Sequence, residues 1–192
     1  MVKNKIQEVP FRRKREGKTN YKKRIALLKS GRPRLVVRKS LLNITAQLVE
    51  YKPEGDKVLV SANSRELLKL GYKMSRGNIT AAYLTGMLLG QKAKKKNIKQ
   101  AVLDIGLNKR VKGSRVYAAL KGAVDSGMDL PCSEEVFPSN DRIEGSHISD
   151  YAEKLKKENS EAYQKQFSLL IKNKVEDIKK HVKETKEKIL KV

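Results

Sequence analysis

Cationic side chains crowd one short stretch near the start of the chain. Eight lysines and arginines fall within the thirteen residues from 12 to 24. A planar guanidinium forms paired hydrogen bonds with phosphate oxygens, and a basic segment can fold into an RNA groove as it binds. These residue types at this density predict a phosphate-binding arm. The eight are Arg12, Arg13, Lys14, Arg15, Lys18, Lys22, Lys23 and Arg24.

A second group of cations is spread through the middle of the chain, around a predicted sheet and its loops. Its members between residues 109 and 115 follow a predicted buried strand and precede a predicted helix. Loop amides and a helix N-terminus suit phosphate binding there, although a solvated loop fits the same pattern. The group comprises Arg34, Arg38, Lys39, Arg76, Lys109, Arg110, Lys112 and Arg115.

The charge balance of the whole chain favours a polyanionic partner. The 192 residues include 44 Lys and Arg against 21 Asp and Glu, a net charge of +23. Residues 1–40 hold 15 cations and 2 acids, whereas residues 131–192 hold 13 and 12. A compact state this cationic repels itself unless RNA, DNA or an anionic membrane neutralises it. The gradient places the electrostatic footprint at the N-terminal end.

Two alternatives to RNA binding, a membrane partner and a DNA partner, fit the sequence less well. The arm has no apolar face opposite its charges, and neither a signal peptide nor a membrane-spanning run is predicted, so we expect a cytoplasmic protein without a membrane partner. None of the common DNA-binding motifs is recognisable. With 3 Phe, 7 Tyr and no Trp, the chain favours structured RNA over single strands read by stacking. A solubilising or targeting tail remains open.

The residues that could catalyse a reaction are isolated from one another. The two histidines, His147 and His181, and the single cysteine, Cys132, lie in no metal-ligand or catalytic pattern. Phosphate-loop and dinucleotide-binding signatures are missing from the sequence. Asp104 lies near the end of a predicted strand, where it favours a role in organising the next loop. A nuclease relying on Asp104 is the alternative, excluded if Asp104→Asn leaves RNA binding and cleavage unchanged. We therefore predict no enzyme, no cofactor, no metal and no small-molecule substrate.

Hydrophobic patterning divides the chain into three regions that must position these cations. Residues 1–33 are predicted to be the basic arm, with a short helix over residues 21–28. Residues 34–128 are predicted to form a mixed α/β core. Residues 129–192 begin as a loop up to residue 147 and continue as helices over 149–190, with a break near Asn159-Ser160. The near-neutral charge of this last region favours protein contacts or packing within the chain.

The core pattern begins with a three-stranded antiparallel meander. Alternating apolar residues from Ile44, and turn residues at 52–56, indicate two strands of a hairpin after a first strand at 35–37. Asn63 with Glu66 predicts a capped short helix, and Asn78 opens a longer one to about residue 95. Gly86 and Gly90 within it predict a close approach to the sheet.

The second half of the core adds one strand and one helix. The apolar run Ala101–Ile105 predicts a parallel strand buried on both faces. It is joined to the meander by the crossover helix. Ser114 is predicted to cap the last core helix, which ends at Gly127.

Several ordered segments resemble the family of large-subunit ribosomal protein eighteen, whose eukaryotic counterpart is called protein five. The segment from Arg12 to Tyr21 is similar to the N-terminal signature of that family. The resemblance covers about residues 5–150, and the C-terminal extension without longer insertions indicates the archaeal form. The other matching segments are Pro33–Arg38, Ala81–Gly86, Asp104–Leu107, Gly113–Gly127 and Phe137-Pro138.

The resemblance implies a structural, non-enzymatic role. It implies binding to 5S rRNA, seating of that RNA in the central protuberance of the large subunit, and contacts to 23S rRNA. The implied neighbours are large-subunit protein five of the prokaryotic nomenclature and other proteins of the central protuberance. A free RNA chaperone or assembly factor is the alternative, and it would be absent from mature large subunits on a sucrose gradient.

The resemblance also adds site residues to the two basic groups. Within the signature it adds Thr19, Asn20 and Tyr21 as RNA-binding positions. One departure lies between the first two strands, where Leu41-Leu42 replace polar residues and Asn43 is the polar group left at that turn.

Overall fold

One four-stranded sheet organises the computed structural model, which describes residues 9–175 and 177–191. The strands are β1 (Arg34–Lys39), β2 (Ile44–Glu50), β3 (Lys57–Asn63) and β4 (Val102–Asp104), in the order β3-β2-β1-β4. The three earlier strands pair antiparallel and β4 pairs parallel to β1. The predicted meander with a parallel fourth strand is confirmed. The first eight residues of the predicted arm lie outside the described residues.

The register of the meander follows its apolar pattern. Leu35 faces Leu48 and Val37 faces Ala46 across the β1–β2 pair, and all four are buried. Between β2 and β3 the register shifts at Leu48 and Val49. The extra residue lies on β3, where Leu59 stands between Val60, which faces Leu48, and Val58, which faces Val49. Leu48 and Val49 are both buried.

Helices precede the first strand, connect β3 to β4 and follow β4, and the α-helices on either side of β4 in sequence pack against the sheet. Asn78 begins the long crossover helix as predicted, since its Oδ1 accepts the Ala81 N–H at 2.7 Å. Asn63 and Glu66 also interact as predicted, but the helix that follows is a 3-10 helix, Glu66–Leu70. The α-helices are α1 (Arg12–Arg15), α2 (Tyr21–Leu28), α3 (Ile79–Lys95), α4 (Arg115–Asp125), α5 (Asn140–Glu144), α6 (Ser146–Glu158), α7 (Ser160–Gln166), α8 (Ser168–Lys172) and α9 (Ile178–Leu190).

Glycines lie where α3 and α4 are in contact. The prediction that Gly86 and Gly90 approach the sheet is therefore wrong. A Cβ at Gly86 would overlap the carbonyl oxygen of Ala119 in α4, and Gly90 faces the same helix. From the other side, a Cβ at Gly122 would overlap the carbonyl oxygen of Tyr83. The missing side chains let the two backbones touch, so the pair packs as one unit.

The predicted burial of β4 on both faces is also wrong. Val102 and Leu103 are only half-buried, although Ala101 before them is fully buried. The cause is position, since β4 is an edge strand whose one partner among the described strands is β1. Its outer side is therefore available to line a surface.

The C-terminal region departs from its prediction in detail. Residues 129–147, predicted as a loop, contain the 3-10 helix Glu134–Val136 and α5. Beyond them the predicted break at Asn159 is confirmed, and further interruptions occur at Phe167 and between α8 and α9. Short helices result because residues such as Lys174, with φ of 52°, interrupt the helical backbone.

Helix α9 returns to the core and closes it. Ile178, Val182 and Ile189 are buried against α3 and its neighbours. His181 adds a polar tie, because its Nε2 accepts the backbone N–H of Lys73 at 2.9 Å. Burial lowers the pKa of His181, which keeps the ring neutral and able to accept this bond.

None of the helices in the described ranges has the length and apolar character to cross a membrane.

The contact between Gly86 and Ala119 predicts that Gly86→Ala destabilises the protein, although alanine is the better helix former. Helix propensity alone would stabilise the variant by about 1 kcal/mol. The overlap with Ala119 should instead lower the free energy of unfolding by about 1–3 kcal/mol. Urea denaturation measures it, with the exposed Lys95→Ala in the same helix as control. A stabilised Gly86→Ala variant would contradict the close packing.

Two adjacent residues test whether α9 belongs to the core. Ile189 is 0% exposed and its neighbour Leu190 is 52% exposed. We expect Ile189→Ala to cost about 2–5 kcal/mol in unfolding free energy. Leu190→Ala should stay within about 0.5 kcal/mol of the parent protein. Equal effects in thermal denaturation would mean that α9 is not packed as described.

Candidate nucleic-acid interface

Five charged side chains form an alternating line of arginine and aspartate beside β4. Arg24 holds Asp56 with two hydrogen bonds of 2.8 Å. Arg34 reaches Asp56 at 2.7 Å and Asp104 at 3.1 Å, and Arg38 reaches Asp104 at 3.3 Å. The line joins α2 of the arm to the β2–β3 turn, β1 and the end of β4. We call it the arginine–aspartate line.

Burial sets the strength of this line. Arg34 at its centre is only 3% exposed, and Asp104 is 7% exposed. For Asp56, burial raises the pKa, but hydrogen bonds from Arg24 and Arg34 outweigh it and hold the pKa below its usual value. The hydrogen bond to Asp56 raises the pKa of Arg24. Both residues are therefore charged at neutral pH.

The lowered pKa of Asp56 also determines how the stability of the fold changes with pH. A carboxylate whose folded-state pKa is depressed stabilises the fold above its unfolded-state pKa. That contribution is lost as the pH falls through the lower, folded-state value. The tie between arm and sheet is thus complete at neutral pH and weakens only in acid.

Local hydrogen bonds shape the arm before it meets the core. After α1 the chain reverses at Gly17, whose φ of 62° is a conformation that favours glycine. The Thr19 hydroxyl then accepts the Nε–H of Arg13 at 2.9 Å. The Asn20 side chain accepts the Lys23 N–H at 3.0 Å and so caps α2. Thr19 and Asn20, predicted as RNA-binding, also order the arm itself.

The arm and the edge of the sheet enclose a cleft of about 610 Å³. Its two acids, Asp56 and Asp104, are engaged in the arginine–aspartate line, so the cleft keeps a positive excess. Leu103, Ile105 and Leu107 supply apolar surface at the side of β4. The lining cations are Arg13, Lys18, Lys23, Arg24, Arg34, Arg38 and Arg110.

About half of the predicted site residues meet in this cleft. Besides the lining cations, Thr19, Asn20 and Tyr21 contribute to its wall. Four more predicted residues lie exposed on the arm outside it, namely Arg12, Lys14, Arg15 and Lys22. The structure leaves the remaining six out of the cleft: Lys39, Asn43, Arg76, Lys109, Lys112 and Arg115.

The predicted phosphate loop between residues 109 and 115 divides into different roles. Arg110 lines the cleft and Lys109 is exposed. Lys112 forms an exposed ion pair with Glu135 at 2.8 Å. Arg115 turns inward, where its Nη1 donates to the carbonyl oxygen of Gly77 at 2.7 Å. The cations of this loop therefore have different surroundings and do not gather at one point of the structure.

The β1–β2 turn exposes its two leucines. Leu41 is 93% exposed and Leu42 is 69% exposed. Asn43 is half-buried, and its N–H and carbonyl oxygen both bond to the Ser40 side chain. The turn thus presents leucine side chains more openly than the amide of Asn43.

Arg34 and Asp56 show what spacing in the sequence does not reveal. Arg34 was predicted to contact RNA, but its guanidinium is buried between two carboxylates, which argues against a direct contact. Its geometry is that of a positioning residue for Arg24 and Arg38. Asp56 was interpreted as a turn residue only. Its partner Arg24 is 32 positions away, and no local pattern signals that contact.

Asp104→Asn tests the arginine–aspartate line. Breaking a buried pair costs about 3–5 kcal/mol, and we expect the low end because Asp56 still holds Arg34. Glu135→Gln breaks the exposed pair with Lys112 and should cost at most about 1 kcal/mol. Chemical denaturation of both variants measures the difference. If the two variants matched in stability, the line would not fasten the fold.

Comparison with known proteins agrees with these observations. The family model described as ribosomal large subunit proteins 60S L5, and 50S L18 matches residues 5–101 and 92–133. The chain is also 54% identical, over 192 residues, to the large ribosomal subunit protein uL18 of Methanococcus maripaludis, with 99% of each chain covered. Ribosomal structural proteins of this kind are not known as enzymes. The chain therefore belongs to the family of ribosomal large subunit proteins 60S L5 and 50S L18, structural constituents of the large subunit of the cytoplasmic ribosome.

Proposed function

We propose that this chain binds 5S rRNA through the arm and the cleft and mediates its attachment to the large subunit. In this role it forms part of the central protuberance and also contacts 23S rRNA. The proposal rests on family membership and on the resemblance of the segment from Arg15 to Tyr21 to the family signature. The neighbours proposed are large-subunit protein five of the prokaryotic nomenclature and other proteins of the central protuberance.

The observation that carries the proposal is the cleft itself. Cations that are far apart in the sequence, such as Arg13 of the arm and Arg110 after β4, line one concave surface. Duplex RNA is recognised mainly by its shape, its phosphates and its 2′-hydroxyls. A concave surface with seven cations and two engaged acids suits such a ligand. The exposed arginines of α1 extend the same surface outward.

Cations outside the cleft support a second RNA contact. Arg76 and Lys109 lie outside it, and Lys109 is exposed. We assign them to 23S rRNA, because a protein that joins two RNAs needs two basic surfaces. The arm (residues 1–33) and the core (34–128) then share the RNA contacts. The extension (129–192) supports the core through α9 and leaves its near-neutral helices for protein neighbours.

The role proposed here is not enzymatic. Asp104, the one acid placed as in α/β enzymes, is held by Arg34 and Arg38 and accepts the Gly106 N–H at 2.8 Å. A carboxylate with all these partners is poorly placed to act as a base. Its geometry favours the loop-organising role over the nuclease alternative.

The salt dependence of 5S rRNA binding tests the cleft. The logarithm of the binding constant should fall with the logarithm of salt concentration by about 0.7–0.9 per phosphate contacted. We expect the combined variant Arg13→Gln, Lys18→Gln, Lys23→Gln to flatten this slope by about 2. A filter-binding titration at several salt concentrations measures it.

A matched variant on the C-terminal region serves as control. Lys154, Lys156 and Lys157 are exposed on α6, and their change to Gln removes the same charge elsewhere. That variant should keep the slope of the parent protein. Equal slopes in all three proteins would refute the cleft as the RNA site. Crosslinking from the arm, with 5S rRNA and 23S rRNA both present, identifies which RNA it binds.

A further inference from the structure

Phe11 is an aromatic side chain of the arm that lies open to solvent. The residue is 70% exposed. One partner is close, since the ring centroids of Phe11 and Tyr21 are 5.0 Å apart with an angle of 39° between the planes. Tyr21 in turn lines the cleft. An aromatic pair therefore leads from the wall of the cleft to the outer surface of the arm.

A structural role alone does not account for this placement. Phe11 precedes α1 and makes no cap with its side chain, and it is not part of the hydrophobic core cluster. A single exposed apolar residue is ordinary on a protein surface. What distinguishes Phe11 is its surroundings, because the four residues that follow it are Arg12, Arg13, Lys14 and Arg15, all exposed.

Aromatic rings beside cations match the chemistry of an unpaired nucleotide. A base stacks on an aromatic face in a sequence-tolerant way, because every base has a π-face. The neighbouring cations can contact the phosphates on either side of that base. Four consecutive cations also suit the phosphates of RNA better than a protein partner, whose surface would need several acids to match them.

We propose that the exposed face of Phe11 stacks against one unpaired base of the bound RNA and extends the Phe11–Tyr21 pair by a third ring. This inference rests on the proposed function, and it adds a base-contacting site to a surface otherwise argued from phosphates. The ligand class is a single nucleobase at a bulge, loop or helix end of the RNA.

The absence of tryptophan from the chain makes a direct test possible. The full-length Phe11→Trp variant contains a single tryptophan, because the sequence has none. We expect 5S rRNA to quench its fluorescence strongly, since stacking on a base quenches an indole. Tyr151→Trp is the matched control, at a residue of α6 that is 45% exposed. Its fluorescence should change little when the RNA binds.

Affinity measurements separate stacking from a structural contribution of Phe11. Phe11→Leu removes the ring and should weaken 5S rRNA binding by about 5- to 150-fold, the range expected for one stacked base. Phe11→Tyr keeps a ring and should bind like the parent protein. Both should keep the parent salt slope, because no cation is removed. Loss of the cleft lysines changes that slope instead.

The outcomes distinguish the inference from the function beneath it. If Phe11→Trp binds 5S rRNA without quenching, or Phe11→Leu binds as tightly as the parent protein, the stacking site is refuted while RNA binding stands. Quenching by an added ribosomal protein alone would assign Phe11 to a protein interface and also refute it. Failure of the parent chain to bind 5S rRNA would overturn the proposed function, and the inference with it.

Discussion

The buried guanidinium of Arg34 is the constraint around which this structure is arranged. A charge removed from water must be matched by partners within reach, or the fold does not form. Arg34 finds Asp56 on one side and Asp104 on the other. Each of these carboxylates binds a further arginine, Arg24 or Arg38, that remains partly open to solvent. A requirement of the interior thereby fixes the position of a surface: the arm is held against the sheet edge by charges that the core itself needs.

The helical layer supplies the rigidity behind this arrangement. Gly86 and Gly122 bring α3 and α4 into backbone contact, and α9 also packs against α3. Arg115, at the start of α4, extends that support to the loops through the carbonyl oxygen of Gly77. The C-terminal region is thus not an appendage. Its last helix contributes buried side chains to the same core that carries the sheet.

The parts of the fold predictable from sequence were those encoded locally. The alternation from Ile44 and the cap at Asn78 each depend on neighbours within a few residues, so the sheet and the long helix were predicted correctly. The contacts of Gly86 and Arg34 depend on residues 33 and 70 positions away. A glycine shows that something approaches closely, but not which element does. An arginine in the sequence indicates a positive charge, but not whether a carboxylate forms an ion pair with it. The residues of the basic surface were therefore predicted from the sequence. That they meet in one cleft is seen only in the structure.

The short edge strand β4 has a consequence for the chain before it meets RNA. An uncovered strand edge invites pairing with a second copy and is a route to aggregation. Here that edge is only three residues long, and cationic side chains such as Arg38 and Arg110 surround it. Two copies approaching edge to edge would bring like charges together. The features that suit the surface to a polyanion thus also discourage two copies from pairing along β4, and RNA is the ligand whose arrival removes that repulsion.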